Sequence, residues 1–171
     1  PAYFDIMHHP DNTVFYWESK IVELPDGRLL DTAWAYDAAA QHDLPNQFSC
    51  SADGGATWTP PRSTGLWGQT LTPLALPDGR ILTVYRRVDV PGLWAALNRL
   101  EGDAWIVEGQ APLWGAGAAG LTGSDANMIT NFTVLKFGAP HLLRLPDGTI
   151  HLVIWCVEDG VGCARWFTFR V

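Results

Sequence analysis

The sequence predicts an all-β protein built from about three antiparallel sheets of four strands each. Nine tryptophans, 17 glycines and 12 prolines in 171 residues are typical of short strands joined by tight turns, with large rings packed between sheets. A Leu-Pro-Asp-Gly turn occurs three times, at Asp26, Asp78 and Asp147. Each turn is followed by an apolar run of strand length, as expected for a strand that is buried on both faces.

These turns divide the chain into repeats. Proline at the first central position, followed by Asp-Gly, makes a tight reversal between two strands. The turn aspartates are 52 and 69 residues apart (78 − 26 and 147 − 78), which is close to the length of one β-propeller blade. We therefore expect a single partial β-propeller domain over residues 1–171, with blades at about 18–64, 68–115 and 131–171.

The strands of each blade follow from these turns. Blade one has four expected strands, near residues 19–24, 28–35, 47–51 and 58–61. The Gly- and Ala-rich residues 114–130 form a long connection, and long connections are often functional. Blade three ends after three strands, so its fourth strand is either missing or supplied by residues 3–17.

Three blades form an arc rather than a closed ring, and each end of an arc exposes an apolar face. A large exposed apolar face usually meets a partner. We therefore expect that the chain is the C-terminal half of a six-bladed propeller completed by further blades, or that two copies associate to close one ring.

Composition excludes several other classes of protein. A net charge of −7 and a pI near 5.0, without a basic run, make nucleic acid a poor partner. No apolar run is long enough to cross a bilayer, and no leader resembling a signal peptide is present. Because residue 1 is Pro rather than Met, we expect that the chain was trimmed from a longer one.

The cysteines and histidines do not predict a metal or another cofactor. Cys50, Cys156 and Cys163 lack the spacing of a metal site and are read as free, buried thiols. Cys156 and Cys163 could also face each other across a hairpin, and that alternative stays open. His8 and His9 are adjacent on an extended segment, so their side chains point in opposite directions.

Candidate site residues lie at one end of the sheets. The Leu-Pro-Asp-Gly turns lie at one end, and ligands of propellers commonly bind near the axis at the other. At that other end, Glu18 enters the first strand of blade one, and Gln69 and Asn131 occupy comparable entries in the other two blades. Arg86 and Arg87 leave the second strand of blade two, and alternation along a strand lets only one of them point toward the axis.

These residue types suit the hydrolysis of a glycosidic bond, which needs two carboxyl groups. An acid follows each turn aspartate by eleven residues, at Asp37, Asp89 and Glu158. We take Glu18 and Asp37 as the candidate catalytic pair. The alternative, that the repeated acids cap loops or pair with arginines, stays open and is favoured by their repetition, whereas Glu18 is expected to lack a counterpart.

Other side chains at the same end would contact a sugar ligand. Arg86 or Arg87 would bind a carboxylate or hydroxyl groups through forked N–H donors. Trp34 or Trp94 could stack on the face of a sugar ring. His42 lies on a loop at this end, where it either contacts the ligand or serves as an ordinary loop residue.

The residues Ser51–Trp58 carry the most specific pattern, Ser-Ala-Asp-Gly-Gly-Ala-Thr-Trp. This spacing resembles the Asp-box, or bacterial neuraminidase repeat, of β-propellers in the sialidase superfamily, and residues 98–105 resemble a decayed copy. The resemblance implies half of a six-bladed sialidase-like propeller, an exo-acting glycosidase activity on a carbohydrate ligand, and an extracellular or periplasmic location. No Arg-Ile-Pro segment is present, so a non-catalytic propeller that binds carbohydrate or protein is the alternative function.

Overall fold

The computed structural model describes residues 5–116 and 135–171, and every regular element in these two ranges is a β-strand. The first sheet contains β1 (Val14–Glu23), β2 (Leu29–Asp37), β3 (His42–Asp43), β4 (Gln47–Ser51) and β5 (Arg62–Ser63). The second contains β6 (Gly68–Ala75), β7 (Ile81–Arg87), β8 (Gly92–Glu101) and β9 (Ala104–Trp114). The third contains β10 (Phe137–Arg144), β11 (Ile150–Glu158) and β12 (Val161–Phe169). Neither described range holds a helix that could span a membrane.

Each sheet is an antiparallel meander. The strand orders are β1-β2-β4-β5, with β3 paired to β2, then β6-β7-β8-β9 and β10-β11-β12. The first strands pack side by side, β1 against β6 and β6 against β10. The predicted all-β fold of propeller-like blades is therefore confirmed.

The three Leu-Pro-Asp-Gly turns join β1 to β2, β6 to β7 and β10 to β11. In each turn the glycine N–H donates to the leucine carbonyl at 2.9–3.0 Å. Gly27, Gly79 and Gly148 have φ values of 84°, 87° and 84°, a conformation that glycine adopts without steric strain. The repeat seen in the sequence is thus a repeat of backbone geometry.

The first sheet departs from the expected strand positions at both of its edges. β1 begins at Val14, so residues 14–17 extend the first sheet and do not supply a fourth strand to the third. The reason is aromatic packing, because the Trp17 ring stacks on the Tyr36 ring at 5.2 Å. The last strand begins at Arg62 instead of near residue 58, since prolines at positions 60 and 61 have no N–H to donate to a ladder.

The sheets are held together by aliphatic side chains of their second strands. Leu30 of β2 packs with Ile81 of β7, and Leu82 of β7 packs with Ile150 of β11. In β11, by contrast, buried and exposed residues alternate, and Val153 and Trp155 are each 41% exposed. The outer face of the third sheet therefore lies on the surface of the described structure.

All three first strands contain a β-bulge at the same place. The register shifts occur between Trp17 and Lys20, Gln69 and Thr72, and Gly138 and His141. The residues at positive φ within these bulges are Glu18 (53°), Thr70 (56°) and Ala139 (47°).

The bulges show which residues of the three first strands are equivalent, and this differs from the alignment of Glu18 with Gln69 that the sequence suggested. Gln69 is equivalent to Trp17, because both immediately precede the bulge. The structural counterparts of Glu18 are Thr70 and Ala139, so Glu18 is the acidic member of this set. Asn131 lies outside the described residues.

Side-chain hydrogen bonds close the turn from Ser51 to Trp58. Asp53 accepts hydrogen bonds from the Thr57 hydroxyl at 2.6 Å, the Thr57 N–H at 2.9 Å and the Ser51 hydroxyl at 2.8 Å. These bonds lower the pKa of Asp53 to about 2. Because Ser51 pairs with Leu29 across β4 and β2, this turn lies at the same end of the sheet as the first Leu-Pro-Asp-Gly turn.

Candidate functional site

Arg86 lies in a hydrogen-bonded group that joins the second and third sheets. Its side chain is buried, with 2% of the residue exposed. The Nε and Nη2 groups donate to Gln69 Oε1 at 3.0 and 2.7 Å, and Nη1 donates to the Phe137 carbonyl at 2.9 Å. Burial lowers the pKa of Arg86 to about 10, and the charges of Glu18 and Asp43 oppose this shift. A guanidinium has five N–H donors, and the bonds to described residues use three of them.

Asp43 extends this group into the first sheet. Its carboxylate accepts hydrogen bonds from Trp34 Nε1 at 2.8 Å and from Gln69 Nε2 at 3.1 Å. Burial raises the pKa of Asp43, while these two hydrogen bonds and the charge of Arg86 act in the opposite direction. Three of the residues predicted to bind substrate, Trp34, Gln69 and Arg86, therefore meet in one group. We call Trp34, Asp43, Gln69 and Arg86 the Arg86 group.

Glu18 presents an exposed carboxylate near this group. It occupies the bulge of β1 at a φ of 53°, a left-handed conformation that strains a residue with a side chain. Its charge raises the pKa of Arg86 and of Lys20, in both cases against the larger effect of burial. The equivalent bulge residues Thr70 and Ala139 share this conformation, so the backbone geometry belongs to the repeat and the acidic side chain is what distinguishes Glu18. Glu18 is thus an acid within electrostatic reach of two largely buried cations.

Lys20 connects the first strands of the three sheets. Its Nζ donates to Thr72 Oγ1 at 2.9 Å and to the Thr70 carbonyl at 3.3 Å. The Thr72 hydroxyl in turn donates to the Pro140 carbonyl at 2.6 Å. β1, β6 and β10 are therefore linked by one chain of polar contacts, which begins two residues after Glu18.

A second buried acid, Asp31, lies on β2. It accepts a hydrogen bond from the Ser19 hydroxyl at 2.6 Å, and Ser19 is the residue that follows Glu18. Burial raises the pKa of Asp31 to about 6 despite this bond. Its other carboxylate oxygen has no hydrogen-bond partner among the described residues.

Asp37, the second candidate catalytic acid, caps a turn. Its Oδ1 accepts the N–H groups of Ala40 at 2.8 Å and Ala39 at 2.9 Å, and these bonds lower its pKa. It pairs with His42 across β2 and β3. The ring of the exposed His42 contacts the carbonyl of Asp43 through Nδ1 at 2.9 Å, so His42 adjoins the Arg86 group without belonging to it.

Arg87 and Trp94, also predicted to bind substrate, lie together away from the Arg86 group. Arg87 makes two hydrogen bonds to Asp89, at 2.7 and 2.8 Å, and its Cζ lies 4.6 Å from the centroid of the Trp94 ring. In the third sheet, Arg165 makes a similar contact with Glu158. Each of the three repeated acids therefore has a local structural partner.

Sequence reasoning missed Asp43, Lys20 and Thr72. Asp43 lies on a connection already assigned to the candidate end, and its acidic side chain next to His42 was the available signal. Lys20 and Thr72 occupy equivalent positions, because each precedes its turn aspartate by six residues (26 − 20 and 78 − 72), and this count was the available signal.

The combined arrangement suits an anionic or hydroxylated ligand. It brings together the buried guanidinium of Arg86, the exposed carboxylate of Glu18 and the partly buried carboxyl of Asp43. In residues 5–116 and 135–171 no cluster of three or more His, Cys, Asp or Glu side chains could hold a metal ion.

Comparison with known proteins supports the fold alone. No protein-family model and no curated protein matches the chain. A solved structure of a protein of unknown function from Dyadobacter fermentans is similar over 92% of this chain and 39% of its own length, with a TM-score of 0.63 and 20% identity. The Hadza microbial sialidase Hz136 is similar over 95% of this chain and 32% of its own length, with a TM-score of 0.57 and 13% identity. The chain thus shares its all-β, propeller-like fold with these two structures and spans less than half the length of each.

Proposed function

We propose that this chain is part of a sialidase-like exo-glycosidase that hydrolyses terminal sugars, with sialic acid as one candidate. The observation that carries the proposal is the Arg86 group, in which side chains from β2, β3, β6 and β7 converge close to the charge of Glu18. The fold shared with the Hadza microbial sialidase agrees with this proposal.

Each residue has a distinct role in the proposal. Arg86 binds the carboxylate or a hydroxyl group of the sugar through its two remaining N–H donors, which requires its buried side chain to become accessible when the ligand binds. Glu18 supplies a carboxylate that stabilises positive charge as the glycosidic bond breaks. Asp37 remains the predicted partner of Glu18 in the catalytic pair of carboxyl groups. Asp43 is an alternative to it, because a carboxyl with a raised pKa is suited to donate a proton.

The second candidate function is a non-catalytic propeller module that binds carbohydrate or protein through the same end. The contacts of Asp37 favour this alternative, because the carboxylate oxygen that caps two backbone N–H groups already has a structural role. Such a module would bind a glycan without cleaving it.

The replacement of Glu18 by glutamine separates the two functions. If the chain is an enzyme, Glu18→Gln is expected to lose hydrolysis of a fluorogenic aryl sialoside, because the amide carries no charge, while binding of sialyllactose persists. Initial rates and isothermal titration calorimetry measure the two properties. Glu23→Gln is the matched control, since Glu23 is exposed on the same strand and pairs with Leu29 at the turn end.

Unchanged turnover by Glu18→Gln would remove Glu18 from the proposed mechanism. Binding of sialyllactose by the unaltered chain without any hydrolysis would favour the module. The absence of both binding and hydrolysis would contradict both functions for these sugars.

We also propose that the turn from Ser51 to Trp58 is an Asp-box. The bonds of Asp53 to Ser51 and Thr57, and the bond from Trp58 Nε1 to the Gly55 carbonyl at 3.1 Å, support this assignment. The turn lies away from the Arg86 group, so its role in the proposal is structural.

The partner that closes the propeller is proposed to be another sheet of the same repeat. One position of the repeat lies eight residues after each turn aspartate (34 − 26, 86 − 78 and 155 − 147). It is occupied by Trp34, Arg86 and Trp155. The first two are 2% exposed, whereas Trp155 is 41% exposed and Trp166 on the neighbouring strand is 65% exposed. The outer face of the third sheet therefore corresponds to faces that are covered in the first two sheets.

For the 171-residue chain alone, we expect a second copy to cover this face. Light scattering at micromolar concentration should give the mass of two chains, and Trp166→Glu should shift the protein toward the mass of one, because a charge on an apolar contact is costly. Val161→Glu, at an exposed site beside the β11–β12 turn, is the control. A stable, folded monomer of the unaltered chain would contradict the pairing.

A further inference from the structure

The last hairpin of the structure places two cysteines face to face. Cys156 on β11 and Cys163 on β12 are direct partners in the register, and their Sγ atoms lie 3.4 Å apart as free thiols. A turn with Asp159 at a φ of 50° and Gly160 at a φ of 78° joins the two strands. Cys50, the third cysteine, lies in the first sheet.

The backbone of this hairpin is compatible with a bond between the two sulfur atoms. Glu158 and Val161 flank the two-residue turn and form its hydrogen-bonded pair. Since hydrogen-bonded and non-hydrogen-bonded pairs alternate along antiparallel strands, Cys156 and Cys163 also form a hydrogen-bonded pair. Such pairs have Cα atoms roughly 5.5 Å apart, within the range of roughly 4.4–6.8 Å that a disulfide spans. Their Cβ atoms, roughly 5.5 Å apart, must approach each other to the roughly 3.5–4.5 Å found in a disulfide.

The two thiols have different surroundings. Cys163 is exposed, whereas Cys156 is buried and packs with Phe137, Leu152 and Ile154. Burial raises the pKa of Cys156. A reagent in solution can therefore reach Cys163 first, and Cys156 lies within reach of the sulfur atom that has reacted.

We propose that Cys156 and Cys163 form a reversible redox site, at which a small disulfide such as oxidised glutathione converts the two thiols into a cross-strand disulfide. The thiol of Cys163 loses its proton to water, and the thiolate attacks one sulfur of oxidised glutathione. The disulfide bond of the reagent breaks, one reduced glutathione leaves, and a mixed disulfide remains on Cys163.

The second step forms the internal bond. Cys156 loses its proton and attacks Sγ of Cys163, and the bond from Cys163 to glutathione breaks. The second glutathione leaves as a thiolate and takes up a proton. In total, two protein thiols are oxidised, and one molecule of oxidised glutathione is reduced to two thiols.

The bond would strengthen an exposed part of the structure. β12 is the outermost strand of the third sheet, so the bridge fastens an edge strand to its neighbour. Cys156 also pairs with Phe137 across β10 and β11, and the Phe137 carbonyl accepts the hydrogen bond from Arg86. Phe137 thus lies between the redox site and Arg86, although the chemistry of the redox site does not depend on the proposed function.

Intact-mass spectrometry of the folded protein tests the proposal. Cys50→Ser is the starting variant, so that only the two facing thiols remain. After incubation with oxidised glutathione, we expect this protein to lose two hydrogen atoms and both free thiols, and dithiothreitol should restore both thiols. Circular dichroism before and after the reaction checks that the fold is retained.

Two further variants resolve the order of the steps. Cys50→Ser with Cys156→Ala is expected to stop at a mixed disulfide with one glutathione on Cys163. Cys50→Ser with Cys163→Ala is expected to stay unmodified, because its single thiol is buried. The second variant keeps the packed core intact and remains informative if the first does not fold.

Two results would overturn the proposal. One is a Cys50→Ser protein that carries a stable glutathione on Cys163 without forming the internal bond. The other is a Cys50→Ser protein that keeps both thiols free under conditions in which a small dithiol of comparable exposure is fully oxidised.

Discussion

Replacement of Arg86 by methionine is expected to lower the free energy of unfolding by about 3 kcal/mol. Methionine keeps much of the apolar stem but has no N–H donors. The Phe137 carbonyl then loses its bond to Arg86, and Gln69 Oε1 loses two donors in a buried site. Asp43 loses the nearby positive charge that favours its ionised form. The midpoint and slope of urea denaturation, followed by tryptophan fluorescence, measure the change.

Arg87→Met is the matched control for Arg86→Met. Arg87 is the next residue on β7 and forms an ion pair with Asp89, but the two side chains are 21% and 45% exposed. A partly exposed pair of this kind contributes about 0–1 kcal/mol. Equal losses of stability in the two variants would contradict a special role of the Arg86 group in joining the sheets.

The repeat architecture was predictable because local chemistry determines it. A Leu-Pro-Asp-Gly segment needs no distant residue to form a tight turn, and its recurrence gave the number of sheets. Alternation along β7 was equally informative. Of the two adjacent arginines, Arg86 turned inward and Arg87 outward, as a period of two residues requires.

The alignment of the first strands was within reach of the sequence. Glu18 and Thr70 each precede their turn aspartate by eight residues (26 − 18 and 78 − 70), whereas Glu18 was aligned with Gln69, which precedes its turn aspartate by nine. Contacts between sheets are harder to predict. Asp43 accepts a hydrogen bond from the side-chain amide of Gln69, which lies in a different sheet. No spacing within either segment shows that the two side chains meet.

Repetition was a useful guide to the difference between structural and functional acids. Asp37 belongs to a set of three related acids, each of which has a local structural contact. Glu18 is instead the acidic member of a set of equivalent bulge residues. A residue that departs from its own repeat is the stronger candidate for a function, since the scaffold does not require it.

Gly138→Ala is expected to destabilise the protein by about 1–3 kcal/mol, as overpacking of a core does. A Cβ atom at this position would lie 2.5 Å from Arg86 Nη1 and 3.2 Å from Trp155 Nε1. The end of a flexible arginine could normally move aside, but here it is buried and held by Gln69 and Phe137. The substitution should therefore displace the guanidinium and also weaken any ligand binding that depends on Arg86.

Gly162→Ala is the matched control for Gly138→Ala, because Gly162 lies in the same sheet and a Cβ there would meet nothing within 4 Å. Alanine limits the freedom of the unfolded chain, so Gly162→Ala is expected to be neutral or to stabilise by about 0.4–1 kcal/mol. Thermal and urea unfolding should thus show a loss of stability for Gly138→Ala and no loss for Gly162→Ala.

A double-mutant cycle identifies the cause of the Gly138→Ala effect. In the Arg86→Met background, the guanidinium that clashes with the new methyl group is gone, so Gly138→Ala should cost much less than it does in the unaltered protein. A coupling of about 0.5–3 kcal/mol is typical of residues in contact. An unchanged cost would show that the methyl group meets the backbone or Trp155 instead, and that Gly138 does not serve to seat Arg86.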